Sequence, residues 1–166
     1  MRHYVFDLDD TMVLHHGSIN YHWVYPDRGL TELLVTCSER GTCHLYTNGT
    51  LGHARILLEK MELIQLFENV PGDNHRIYAR EFHGLKPSIR SFNLVEDRIC
   101  HKGNNEEDCQ ILFFDDLGEN LQVAKYNYGW ATVWITPYHE SASLYPYVDG
   151  AFGTLTDALT KIHKIL

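Results

Sequence analysis

Short apolar runs that break off at polar clusters constrain this chain more than any other feature. His3-Tyr4-Val5-Phe6 is β-prone and stops at Asp7-Leu8-Asp9-Asp10, and Ile111-Leu112-Phe113-Phe114 stops at Asp115-Asp116. Cys43-His44-Leu45-Tyr46 ends in Thr47-Asn48-Gly49, and weaker runs occupy Arg76 to Ala79 and Thr132 to Ile135. All are too short for a buried helix and rich in β-branched or aromatic residues, so they read as strands. Between them apolar residues recur at helical spacing: Leu30, Leu33, Leu34 and Cys37 before Gly41; Ala54, Leu57, Leu58 and Met61; Ile89, Phe92, Leu94 and Val95 after Pro87. Gly118 to Tyr128, closed by Gly129, and Leu155, Leu159, Ile162, Ile165 and Leu166 continue the pattern. Alternating strand and helix predicts a three-layer α/β sandwich with a parallel sheet of at least five strands. Such sheets carry their ligands at the carboxyl ends of the strands, which is where the acids fall.

The chain has 166 residues, 44% of them apolar, enough for one domain over 1–166 with a real core. A net charge of −8 with scattered Lys and Arg argues against nucleic acid as a partner. A phosphate-bearing substrate would then need a metal ion or a few placed cations. No run approaches the roughly 18 apolar residues of a membrane span, and Met1 to Thr11 is too polar for a secretory signal. A cytoplasmic location is the expectation. Cys37, Cys43, Cys100 and Cys109 lack C-x-x-C spacing, which argues against a disulfide framework or a cysteine zinc site.

Four segments bring Asp7 and Asp9, Thr47 and Asn48, Lys86, and Asp115 and Asp116 to one sheet edge. Each has a plain reading as a turn, a cap or a solvated residue. Their convergence does not. Carboxylates so gathered repel one another unless a cation stands between them. Oxygen ligands of this kind suit Mg²⁺.

Asp7-Leu8-Asp9-Asp10-Thr11, Tyr46-Thr47-Asn48-Gly49, Gly84-Leu85-Lys86-Pro87 and Phe113-Phe114-Asp115-Asp116 with Asn120 resemble, in order, the four motifs of the haloacid-dehalogenase-like superfamily. The resemblance spans almost the whole chain and implies the strand order 5-4-1-2-3. It implies a Mg²⁺-dependent phosphatase in which Asp7 attacks phosphorus to give an aspartyl-phosphate, and Asp9 is the general acid and base. Thr47, Asn48 and Lys86 would bind the phosphoryl group. Asp7, the Asp9 backbone carbonyl and Asp116 would hold the metal, with Asp115 and Asn120 behind them. The family's dehalogenases lack the second aspartate of the first motif.

The last two motifs resemble the pyrimidine-nucleotidase and phosphoglycolate-phosphatase group, whose members insert a large helical cap between the first two motifs. Here only about 35–40 residues separate Asp9 from Thr47, and a helix takes up many of them. The chain therefore resembles the capless phosphatases, with a flap over about 12–27 rich in His15, His16, Tyr21, His22, Trp23 and Tyr25. The expected partner is a phosphorylated substrate, either a small molecule or a phosphoprotein; an oligomer is possible and no membrane is involved. Two rivals share the scaffold: a phosphotransferase and a non-catalytic binding module.

Overall fold

β1 (Arg2–Phe6) sits centrally in a six-stranded, wholly parallel sheet, flanked by β2 (Thr42–Tyr46) and β4 (Gln110–Asp115). β3 (Ile77–Tyr78) lies outside β2, β5 (Ala131–Ile135) outside β4, and β6 (Gly150–Phe152) outside β5. This computed structural model describes residues 1–100 and 109–165, with side chains to residue 162. The segment from 101 to 108, expected as a loop, and the side chains of Ile165 and Leu166 lie outside the described residues.

Alternation along each strand sends side chains to two buried faces, as a parallel sheet covered on both sides requires. Tyr4, Phe6 and Leu45 pack with α1 (Arg28–Arg40), α2 (Leu51–Lys60) and α6 (Leu155–Ile165). Val5, Tyr46 and Phe113 pack with α4 (Ile89–Cys100) and α5 (Gly118–Tyr128). The short α3 (Arg80–His83) precedes the loop that carries Lys86. Asp27 caps α1, its Oδ1 accepting from Leu30 N at 3.1 Å, and the Thr50 hydroxyl caps α2 by accepting from His53 N at 3.1 Å.

The order 5-4-1-2-3 is present, and β6 extends it by one strand within a segment that reads as irregular. Gly150–Phe152 carries no β-branched residue, so nothing local marks it as a strand. Tertiary bonds supply what propensity does not. Asp149 Oδ2 accepts from Thr132 N at 2.8 Å, Asp149 N donates to Thr132 O at 3.0 Å, and Lys125 Nζ reaches Asp149 Oδ1 at 2.7 Å.

Gly41 does end α1, though in extended backbone at φ −178°. A Cβ at that position would stand 2.4 Å from the Arg2 carbonyl oxygen, so the glycine allows α1 to turn directly beneath β1. The cysteine expectation needs correction. Cys100, the last residue of α4, is disulfide-bonded to Cys109, which precedes β4, with their Cα atoms 5.7 Å apart. Sequence spacing is a poor guide here because the return of the chain from helix to strand brings the two together.

Residues 7–27 hold no cap domain. The Leu8 carbonyl accepts from Met12 N at 2.9 Å and Val13 N at 3.0 Å, and Asp10 takes a positive φ of 59° to make the turn. The flap then runs to a single 3₁₀ turn at Tyr21–Trp23. No helix among the described residues is long and apolar enough to cross a membrane.

Candidate active site

Lys86 is the hub of the sheet edge. Its Nζ donates to Asp7 Oδ1 at 2.7 Å, to Asp115 Oδ2 at 2.6 Å and to the Tyr46 carbonyl at 2.8 Å, using all three ammonium protons. The stem passes the rings of Tyr46 and Phe113, with Nζ 5.1 and 5.5 Å from their centroids. Asn48 fixes the loop: its Oδ1 accepts from Lys86 N at 2.7 Å, and its Nδ2 donates to Lys86 O at 3.1 Å. Asp115 is fully buried, and accepts in addition from Asn120 Nδ2 at 3.0 Å and Leu117 N at 2.8 Å. Trp134 Nε1 donates to the Asp116 carbonyl at 2.8 Å, which ties the neighbouring backbone to β5.

Asp9 looks elsewhere. Its carboxylate accepts from His15 Nε2 at 2.5 Å and from His53 Nε2 at 2.8 Å. Tyr21 Oη lies 2.7 Å from His53 Nδ1, so the flap and the first turn of α2 meet over Asp9. Gly49 makes room for this meeting. A Cβ there would fall 2.7 Å from His53 Cδ2, 3.2 Å from Thr47 Oγ1 and 3.6 Å from Asp9 Oδ2. Asp9 and Thr47 therefore face each other across a glycine. The buried Thr47 Oγ1 accepts from Gly49 N at 2.9 Å, which leaves its own proton for an incoming oxygen.

The electrostatics differ between these neighbours. Burial pushes the Asp7 carboxyl up to about 7; Lys86 opposes the rise, and Asp115 and Asp116 add to it. Burial, then the Asp115 charge, pushes Asp116 up to about 6. Burial alone would lower the Lys86 ammonium, but the charges of Asp115 and Asp7 more than reverse this and hold it protonated. The carboxylates of Asp7, Asp115 and Asp116 lie within 4.8 Å of one another. With all three carboxylates ionised, one ammonium leaves two negative charges uncompensated, a surplus that adds to burial in raising Asp7 and Asp116 and that fits a divalent cation bound through oxygen.

Of the residues that the sequence singles out, Asp7, Lys86, Asp115, Asp116 and Asn120 gather in one cluster. Thr47 and Asp9 border it, and Asn48 bonds to the Lys86 backbone. His15 is drawn in, whereas His16 and His22 stay exposed. His53 and Tyr21 join the site with no motif to announce them. His53 reads as one more residue of a helix, and only the Thr50 cap, which fixes where α2 begins, shows which way it faces.

No protein-family model and no curated protein sequence matches the chain. Solved structures do. The HAD-hydrolase YfnB of Bacillus subtilis, in a crystal form bound to magnesium, superposes with a TM-score of 0.59 at 18% identity, over 82% of this chain and 54% of that one. The L-2-haloacid dehalogenase of Xanthobacter autotrophicus, with chloropropionic acid covalently bound, gives a TM-score of 0.54 at 17% identity, over 88% of this chain and 64% of that one. The chain thus spans between half and two thirds of these proteins, and its fold is that of the haloacid-dehalogenase-type hydrolases.

Proposed function

We propose that the chain is a Mg²⁺-dependent phosphatase that hydrolyses phosphomonoesters through an aspartyl-phosphate on Asp7. The observation that carries this reading is the buried Lys86 ammonium bonded at once to Asp7 and Asp115, beside a surplus of carboxylate charge. Lys86 occupies Asp7 Oδ1, which orients the carboxylate and leaves Oδ2 to attack phosphorus. Thr47 donates its free proton to a phosphoryl oxygen. Asp9 protonates the departing oxygen and then takes a proton from the attacking water. Asp7 and Asp116, with the Asp9 carbonyl, would hold Mg²⁺, and Asp115 would stand behind them. Bound there, the ion would neutralise phosphate charge next to an anionic nucleophile.

Asp9 favours this chemistry over carbon–halogen displacement, because a departing halide needs no proton and an alkoxide does. With only a flap above the site, few groups enclose the leaving group, so small phosphate esters should be discriminated weakly. Phosphate release from an aryl phosphate is expected with Mg²⁺ and should vanish with a chelator. Full turnover in excess EDTA would remove the metal from the reading. Faster consumption of substrate than release of phosphate, in the presence of an alcohol, would convert it to phosphotransfer.

A further inference from the structure

The Asp9 cluster has a chemistry of its own. Two imidazole nitrogens and one carboxylate oxygen converge within 4.8 Å, from the flap (His15), the first loop (Asp9) and α2 (His53). The rings of His15 and His53 stand 6.4 Å apart at 41°, both with Nε2 aimed at the same carboxylate. Their side chains are largely shielded, only 6% and 11% exposed, while Asp9 keeps 31%. The group borders an open cavity of about 530 Å³ that Asn48, Gly49 and Arg80 also line.

We propose that Asp9, His15 and His53 bind a Zn²⁺-class transition-metal ion, distinct from the carboxylate site at Asp7, Asp115 and Asp116. Three protein ligands of the types N, N and O, with a fourth position facing solvent, form the donor set of an exchangeable Zn²⁺ site rather than a closed structural one. Tyr21 supplies the outer partner that such sites use. Its hydroxyl at 2.7 Å can accept Nδ1–H of His53 once Nε2 binds a cation. Both Nε2 atoms lie against Asp9, at 2.5 and 2.8 Å, each donating its proton to the carboxylate. Ligands on a tetrahedral Zn²⁺ at about 2.0–2.1 Å stand roughly 3.3 Å apart, so His53 and His15 need to draw back from Asp9 Oδ1 by only about 0.5 and 0.8 Å. The flap, free of regular pairing beyond Val13, can give that much.

The two sites would sort metals by ligand. Imidazole favours Zn²⁺, Co²⁺ or Ni²⁺ over Mg²⁺, whereas an all-oxygen cluster favours Mg²⁺. Occupancy would also tie up the Asp9 carboxylate, so on the phosphatase reading above Zn²⁺ would inhibit with Mg²⁺ saturating. Co²⁺ is a coloured probe that separates the two statements. With Mg²⁺ in excess, one equivalent of Co²⁺ should give a visible d–d band that Zn²⁺ bleaches. His53→Ala and His15→Ala should each lose the band, Tyr21→Phe should bind about 10–100-fold more weakly, and Asp116→Asn should keep it. Circular dichroism of each variant reports that it is folded. A band that survives the double variant His15→Ala/His53→Ala, a band lost in Asp116→Asn, or no stoichiometric Co²⁺ binding overturns the site, whether or not the protein hydrolyses phosphate. Stoichiometric binding without inhibition would retain the site and overturn its link to Asp9 chemistry.

Discussion

Asp7 and Asp9 are two residues apart on one loop and live in different worlds. Asp7 is nearly enclosed, bonded to a buried ammonium and pressed by two other carboxylates. Asp9 is about a third exposed and bonded to two shielded imidazoles, one from the flap and one from α2. Strand alternation would put residues two apart on the same face. What separates them is the turn beyond β1, closed by the Leu8 carbonyl with Met12 and Val13 and by the positive φ of Asp10, which carries Asp9 toward the flap. One short segment thus holds one carboxylate enclosed and the other partly open, which on the proposed mechanism are the nucleophile and the proton carrier.

The largest effect should come from the enclosed partner. On the proposed mechanism Asp7→Asn would remove the covalent step and Asp9→Asn only proton transfer, so turnover of Asp7→Asn should fall to the background of the uncatalysed reaction while the fold is kept. Asp9→Asn should lower turnover by about 10²–10⁴, since only proton transfer is lost. With a good leaving group it should accumulate a phosphoryl adduct, read by acid quench and intact mass spectrometry. An adduct on a residue other than Asp7, or equal turnover in Asp7→Asn and the parent, would erase the contrast between the two carboxylates.

Next in size is stability. Lys86→Met leaves Asp7 and Asp115 buried without their cation, and should cost about 3–5 kcal/mol in denaturant melts. Adding Asp115→Asn should recover part of this; no recovery would mean that the ammonium acts through packing on Tyr46 and Phe113 instead.

The smallest effect separates the imidazoles of the flap from one inside the sheet. His44 bonds His3 Nδ1 at 3.1 Å and the Tyr78 hydroxyl at 3.0 Å. Burial, then the charges of His3 and Arg76, push it down to about 3. An unfolded histidine binds its proton near pH 6.5, so between 6.5 and 3 the unfolded chain takes up a proton that the folded one refuses. Stability is therefore lost as pH falls, by about 1.4 kcal/mol per pH unit from this group at most. Parent and His44→Gln should diverge in slope from pH 6.5 to 5, the variant being flatter. Parallel slopes would show that His44 accepts its proton in place.

The enclosed region was legible in the sequence and the open one only in part, since Asp9, Thr47 and the flap stood out and His53 did not. Asp7, Lys86, Asp115 and Asp116 each follow an apolar run or precede a helix, so strand ends locate them without knowledge of packing. Asn48 was legible as a site residue, but its pairing with the Lys86 backbone depends on how two loops meet. His53 lies 44 residues from Asp9 and is aimed by a helix cap and a glycine, neither of which marks a ligand. β6 escaped for a related reason: its pairing is set by Asp149 and Lys125, 24 residues apart, rather than by its own composition.

The bonds of Lys86 also bear on how the protein comes into being. Lys86 meets Asp7 across 79 residues and Asp115 across 29, and Asn48 spans 38 to reach its backbone. Contacts so distant along the chain carry a loop-closure cost that local contacts do not. A nascent chain released before β4 has no complete charge cluster at all. Gathering of the buried charges and closure of the sheet between β1 and β4 are thereby one event.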